Sequence, residues 1–163
     1  MSCLGHTADA RKSKIRVVDA SSGGHMNLAT TERSVPCPIL LVDDFAPFRA
    51  TLRQILEGHP GFTVVGEASD GRAALEMALA LAPQVVIMDV EMPRLGGVEA
   101  TRRLKRMLPD VYIIGIAVND DADTQSAMKA AGSSAFLSKT CPHQLPRLIA
   151  LLTGRSVVHD GMY

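Results

Sequence analysis

The chain of 163 residues is 47% hydrophobic and carries 17 Lys and Arg against 17 Asp and Glu, so its formal net charge is zero. A chain of this length can bury one good core, which argues for one domain, and its balanced charge gives no electrostatic case for nucleic acid or an anionic membrane as a partner. No apolar run approaches the about 20 residues of a membrane-spanning helix, so we expect a soluble protein.

The N-terminal segment and the cysteines bear on where the protein resides. The basic residues within 11–16 are followed by no apolar stretch, so they do not form a secretory signal. Cys3, Cys37 and Cys141 are an odd number of cysteines at unpatterned spacing. That pattern suits free thiols in a reducing compartment better than a disulfide or zinc framework. We therefore predict a cytoplasmic location.

Residues 1–36 differ in composition from the rest of the chain. They are polar and contain one short apolar burst, at residues 15–18, so we interpret them as a largely disordered extension. The Gly-Gly-His-Met stretch at 23–26 fits either a cloning scar or a true start at Met26. The sequence leaves open whether residues 1–25 are native.

A regular alternation of strands and helices is predicted from residue 37 to residue 153. Continuous apolar runs predict buried strands, in chain order, at residues 39–42, 62–65, 85–88, 111–118 and 135–137. After each run, apolar residues recur at helical spacing, in the segments 48–58, 70–82, 98–108, 120–131 and 145–152. Near-continuous apolar strands are typical of a parallel sheet that is buried on both faces. Right-handed crossovers then favour a doubly wound α/β sheet.

Charged residues follow three of the predicted strands. Asp43 and Asp44 come after the first, Asp89 after the third and Lys139 after the fifth. Each alone has a plain structural explanation as a helix cap, a turn former or a surface lysine. Doubly wound sheets bind ligands at the carboxyl ends of their strands, so together these side chains predict an oxygen-lined site for a cation, most naturally Mg²⁺. One carboxylate is then free to attack a phosphoryl group.

The motifs around these residues resemble the response-regulator receiver domain of bacterial two-component signalling. The matching motifs are Ile-Leu-Leu-Val-Asp-Asp at 39–44, Met-Asp-Val-Glu-Met-Pro at 88–93 with Gly97, and Lys139. The resemblance covers residues 37–153. It implies a flavodoxin-like fold, in which five parallel strands in the order 2-1-3-4-5 are flanked by five helices.

The resemblance also implies roles for individual residues. Asp89 would accept a phosphoryl group from a phosphohistidine on a sensor histidine kinase or a histidine phosphotransfer protein. Asp44, Asp89 and the backbone carbonyl of Glu91 would bind Mg²⁺, and Asp43 would act through a metal-bound water. Lys139 would pair with a phosphoryl oxygen. The protein would be no enzyme beyond catalysing its own phosphoryl transfer and dephosphorylation.

The sequence departs from the family pattern at the end of the fourth strand. Family members normally place Thr or Ser 22 residues before the lysine, and that position here is Ala117. The aromatic partner of this hydroxyl in the conformational switch is present as Phe136. Loss of the hydroxyl removes one charge-assisted hydrogen bond, on the order of 1.5–3 kcal/mol. We therefore expect phosphorylation to persist and signalling through the following loop to weaken.

The expected output is contact with another protein. Residues 154–163 are too few for a DNA-binding helix-turn-helix, so we expect either a stand-alone receiver or a truncation. The basic run at 102–106 is interpreted as a solvated helix face rather than a nucleic-acid site. An unidentified downstream protein is expected, and a homodimer is left open. Two alternatives remain: a degenerate receiver used as an interaction module, and an aspartate-nucleophile phosphohydrolase, although Asp43-Asp44-Phe45 lacks the DxD pattern of such enzymes.

Overall fold

The computed structural model describes residues 35–156, where the apolar runs of the sequence form a five-stranded parallel sheet. Its strands are β1 Cys37–Val42, β2 Phe62–Ala68, β3 Val85–Asp89, β4 Tyr112–Ala117 and β5 Ala135–Ser138. They pair in the order β2-β1-β3-β4-β5, which confirms the predicted strand order and the doubly wound class. β4 is shorter than the predicted strand at 111–118, because Val118 lies beyond the sheet and is 62% exposed.

Five α-helices connect and follow the strands. They are α1 Ala46–Glu57, α2 Gly71–Leu81, α3 Gly97–Met107, α4 Ala122–Ala131 and α5 Leu145–Thr153, and a short 3₁₀ turn, Pro142–Gln144, precedes α5. α2 begins at the predicted cap, because Asp70 Oδ1 accepts the N–H of Ala73 at 2.8 Å. α4 begins later than predicted, because Asp121 rather than Asp120 caps it by accepting the N–H of Thr124 at 2.8 Å.

The strand side chains alternate between two apolar layers, because successive residues of a strand point to opposite faces of the sheet. One layer packs against α1 and α5, and its large members include Ile39, Leu41, Ile87, Ile114, Leu52, Leu56, Leu145 and Ile149. The other packs against α2, α3 and α4, and its members include Leu40, Val86, Met88, Ala78, Leu104 and Met128. Burial of each large apolar side chain stabilises the fold by about 1.5–3 kcal/mol. The two layers therefore hold the strands, and the residues at their ends, in place.

Several sequence expectations concern smaller features. Residues 1–34 and 157–163 lie outside the described range, so the expectations about the extension, about residues 1–25 and about most of the tail fall on residues that the structure does not describe. Cys37 is buried and Cys141 partly exposed, both as free thiols. Arg102 and Arg103 each form an ion pair with Glu99 on α3.

Between residues 35 and 156, no helix is both long enough and apolar enough to cross a membrane.

Candidate functional site

Three of the predicted site residues leave the sheet on the same face. Asp43, Asp89 and Lys139 each lie two residues beyond a core residue of the layer that packs against α1 and α5; those core residues are Leu41, Ile87 and Leu137. Side chains two residues apart on a strand point the same way. The pattern that buries the core therefore also directs the two carboxylates and the ammonium to one place, at the carboxyl edge of the sheet.

Asp43 is completely buried and uses its two carboxylate oxygens differently. Oδ1 accepts the N–H of Phe45 at 2.8 Å, which fixes the turn after β1. Oδ2 lies 2.6 Å from Lys139 Nζ in an ion pair. This charge-assisted contact satisfies Oδ2, which is closed off from solvent. A carboxylate oxygen has two lone pairs, so Oδ2 can still accept a hydrogen bond from a cation-bound water.

Asp89 is 1% exposed, and its Oδ2 lies 3.0 Å from Lys139 Nζ. Burial raises the pKa of Asp89 to about 6, with a further rise from the Asp43 carboxylate and an opposing effect of Lys139. Burial also disfavours the Lys139 ammonium, but its contacts with Asp43 and Asp89 prevail and raise the pKa of that lysine. The single ammonium therefore stays charged without fully compensating the two buried carboxylates.

The acidic cluster fits a divalent cation. Asp43, Asp44 and Asp89 each offer one carboxylate oxygen, and these oxygens lie within 4.8 Å of one another. In an octahedral Mg²⁺ site with bonds of 2.0–2.1 Å, ligand oxygens are about 3–4 Å apart, so a small closure or one intervening water completes the set. Asp44 is exposed, which leaves room for waters on the open side. The all-oxygen donor set suits Mg²⁺.

The loop between β3 and α3 packs tightly against Asp89. A Cβ built on Gly97 would lie 1.9 Å from the Asp89 carbonyl oxygen, so only glycine allows this approach of α3 to the site. The Gly97 N–H donates to the Val90 carbonyl at 3.0 Å. The Glu91 N–H reaches Asp89 Oδ1 at 3.3 Å, and its carbonyl as a metal ligand stays a prediction.

The end of β4 carries no hydroxyl. Ala117 is 1% exposed, pairs with Ser138 of β5, and accepts the Lys139 N–H at its carbonyl at 2.8 Å. Phe136 lies over β4 on the other face of the sheet, because a Cβ on Gly115 would approach Phe136 Cδ2 to 3.0 Å. The ring is thus packed among apolar side chains on the face opposite to Asp43, Asp89 and Lys139.

Two residues beside the site were not predicted as functional from the sequence. Phe48 was interpreted as a core residue of the first helix, yet its ring centroid lies 5.1 Å from Lys139 Nζ. Arg49 was not singled out, yet its Nη1 donates to the Asp43 carbonyl at 2.7 Å. Helical spacing alone indicated only that Phe48 faces inward. The contact of Arg49 depends on how the turn after β1 folds back onto α1.

Comparisons with known proteins agree with this geometry. Residues 39–152 match the family described as the response regulator receiver domain. The chain is 45% identical over 101 residues to the response regulator UvrY of Escherichia coli O6:H1 strain CFT073, which covers 62% of this chain and 46% of that protein. It is 40% identical over 112 residues to protein-glutamate methylesterase/protein-glutamine glutaminase 4 of Myxococcus xanthus strain DK1622, covering 68% of this chain and 32% of that protein.

A solved structure shows the same fold. It is a two-component response regulator of the LuxR family from Aurantimonas sp. SI85-9A1, with a TM-score of 0.69 and 30% sequence identity, covering 77% of this chain and 91% of that one. The chain spans about half or less of the length of the two curated relatives above. The similarity therefore concerns the part of each relative that matches these residues.

Proposed function

Because the chain belongs to the response regulator receiver domain family, we propose that it accepts a phosphoryl group on Asp89 from a phosphohistidine. The observation that supports this most directly is the arrangement of one ammonium between two buried carboxylates. Lys139 Nζ lies 2.6 Å from Asp43 and 3.0 Å from Asp89, and the Asp44 carboxylate completes the cluster. Such a site can bind a divalent cation and can neutralise an incoming phosphoryl group.

Asp44 and Asp89 would hold Mg²⁺ directly, together with the Glu91 carbonyl, and Asp43 Oδ2 would accept a hydrogen bond from a bound water. When bound, Mg²⁺ supplies positive charge that favours the ionised Asp89 carboxylate and offsets the charge on the phosphoryl oxygens. Asp43 Oδ1 meanwhile keeps the turn after β1 in place through Phe45.

In the transfer step, an Asp89 oxygen forms a bond to phosphorus as the bond between phosphorus and the histidine nitrogen breaks. The electron pair of the broken bond stays on the imidazole nitrogen, which takes up a proton. The Lys139 ammonium moves from the Asp89 carboxylate towards a phosphoryl oxygen. The Phe48 ring stabilises the ammonium by a cation–π contact. This chain would catalyse only its own phosphoryl transfer and the hydrolysis of the acyl phosphate.

The donor we propose is a sensor histidine kinase or a histidine phosphotransfer protein, in the cytoplasm, and the output is contact with a downstream protein. The names of the two curated relatives, a response regulator and a protein-glutamate methylesterase, show that related chains differ in what the rest of the protein does. The receiver chemistry is therefore separate from the output, and whether this receiver acts alone stays part of the proposal.

The test is to incubate the protein with a small phosphodonor and Mg²⁺ and to measure intact mass. We expect a gain of one phosphoryl group that hydroxylamine removes, no gain in Asp89→Asn, and a strongly reduced gain when EDTA replaces Mg²⁺. An unmodified wild type, or equal labelling of Asp89→Asn, would contradict the proposal. Steady phosphate release from unrelated phosphoesters would instead favour the aspartate-nucleophile phosphohydrolase.

One observation favours a second candidate, a receiver that acts as an interaction module without phosphorylation. The buried methyl of Ala117 stands where a hydroxyl would contact the phosphoryl group. The two candidates differ in whether a partner binds the phosphorylated form more tightly. The affinity of a captured partner is measured for wild type with the phosphoryl mimic beryllofluoride, for wild type without it and for Asp89→Asn. Equal affinities in all three would favour the interaction module.

A further inference from the structure

Asp44 owes its position to its neighbours, because both peptide groups beside it are held. The carbonyl of Asp43, on one side, accepts a hydrogen bond from Arg49 Nη1 at 2.7 Å. The N–H of Phe45, on the other side, donates to Asp43 Oδ1 at 2.8 Å. With both flanking peptide planes fixed, the backbone sets the direction of the Asp44 Cα–Cβ bond, from which the carboxylate extends.

Arg49 is itself held by a second residue. Its Nε donates to Glu67 Oε2 of β2 at 2.9 Å, and its side chain is only 16% exposed. The other oxygen of Glu67 accepts from Arg53 Nε at 2.8 Å. Hydrogen bonds from the two arginines hold the pKa of Glu67 below its usual value, so the anchor stays ionised. Arg49 thus connects the edge of the sheet to the turn that carries the metal-binding carboxylates.

We propose that Arg49 is a positioning residue for the acidic site: by holding the Asp43 carbonyl it fixes the turn that presents Asp44 to a divalent cation. This inference rests on the proposed function for its ligand, Mg²⁺. Arg49 is not among the residues predicted to contact the metal or the phosphoryl group.

The charge of Arg49 and its positioning role predict effects of opposite sign. A guanidinium close to the carboxylates repels Mg²⁺, so if charge alone mattered, removing it would tighten Mg²⁺ binding. If positioning matters, removing it frees the Asp43 carbonyl, and Mg²⁺ binding must then order the turn and becomes weaker. The sign of the change in the dissociation constant therefore distinguishes the two effects.

Arg53 provides a matched control. It is one helical turn from Arg49 and donates to the same glutamate, but it makes no contact with Asp43 among the described hydrogen bonds. Arg53→Ala removes the same charge and the ion pairs of Arg53 with Glu67 and Glu57, while leaving the Asp43 carbonyl held. Arg49→Lys keeps the charge but has one donor nitrogen in place of the three of a guanidinium, so it should recover part of the function.

The experiment uses amide NMR on the chain, with two readouts. Hydrogen exchange of the Phe45 amide in metal-free protein reports the turn, and a Mg²⁺ titration reports the dissociation constant. For Arg49→Ala we expect faster Phe45 exchange and a dissociation constant raised about tenfold, the size expected from losing one hydrogen bond of about 1.4 kcal/mol. We expect Arg53→Ala to stay within about twofold of wild type and Arg49→Lys to lie between Arg49→Ala and wild type.

Equal Phe45 exchange in Arg49→Ala and Arg53→Ala, or tighter Mg²⁺ binding in Arg49→Ala, would overturn the positioning role. A wild type that binds Mg²⁺ with the expected variant pattern but never takes up a phosphoryl group would overturn the proposed function and leave the role of Arg49 supported. A wild type that binds no Mg²⁺ would overturn both.

Discussion

The carboxyl edge of the sheet contains two regions of opposite character. At the ends of β1, β3 and β5, charged groups lie within 2.6 to 3.0 Å of each other and are tied to the backbone. At the end of β4, between β3 and β5, the side chain is the methyl of Ala117. Under the proposed function, the first region would accept the phosphoryl group, and the second lacks the hydroxyl that would contact it. Acceptance and transmission would then depend mainly on different strands of one sheet.

The largest expected effect breaks the acceptor region itself. Gly97→Ala places a Cβ 1.9 Å from the Asp89 carbonyl oxygen, so the backbone must move. We expect a loss of about 2–4 kcal/mol in the free energy of unfolding and a strong loss of phosphorylation. Gly96→Ala is the control, because the nearest atom to its new Cβ is 3.7 Å away. Urea unfolding and phosphoryl uptake measure both effects, and equal behaviour of the two variants would contradict the packing argument.

The second effect concerns the incompletely compensated charge of Asp89. Burial raises its pKa in the folded state from 3.8 to about 6, so ionising this carboxyl destabilises the folded protein. In EDTA at pH 7 we expect Asp89→Asn to be more stable than wild type, by up to about 3 kcal/mol. The difference should shrink as the pH falls from 6 towards 4, because the carboxyl then becomes protonated in the folded state and next in the unfolded state. Urea titrations across this range test it, and a difference independent of pH would contradict the pKa assignment.

The third effect restores the transmission region. Ala117→Thr returns the hydroxyl, and Ala117→Val adds the same bulk without it. We expect phosphoryl uptake to stay within about twofold in both variants, because the acceptor region is unchanged. Binding of beryllofluoride should shift residues 118–121 towards a second conformation. We expect this population shift to be about tenfold larger in Ala117→Thr than in wild type, and unchanged in Ala117→Val. Amide exchange of these residues measures it. A full shift already present in wild type would show that the hydroxyl is dispensable.

The smallest effect concerns a buried hydroxyl that has no hydrogen-bond partner within residues 35–156. Thr101 Oγ1 lies in the core on α3. Because the buried Thr101 hydroxyl makes no hydrogen bond that would offset the loss of its hydration, Thr101→Val should stabilise the protein by about 0.5–1 kcal/mol. Mg²⁺ affinity should not change. Thermal unfolding and a Mg²⁺ titration measure the two quantities. A weakened Mg²⁺ affinity would mean that the Thr101 hydroxyl also contributes to the site.

Much of the fold and the main members of the cluster were predictable from the sequence. The apolar runs located all five strands, although β2 to β5 end at other residues than predicted, and the two-residue period then placed Asp43, Asp89 and Lys139 on one face. The contacts of Phe48 and Arg49 were not predictable in this way. They depend on the path of the turn after β1 and on where α1 lies over it, which single-sequence periodicity does not encode. The start of α4 was also missed, because two successive aspartates, Asp120 and Asp121, are equally good caps by residue type.

Lys139 has a further consequence that lies in its main chain. Its ammonium contacts the carboxylates, while its N–H is bonded to the Ala117 carbonyl at 2.8 Å. A lysine drawn towards a new anion pulls on its own backbone, and that backbone is fastened to β4. Under the proposed function, the methyl of Ala117 therefore leaves β4 connected to the site, because the hydrogen bond between the Lys139 N–H and the Ala117 carbonyl needs no hydroxyl on β4.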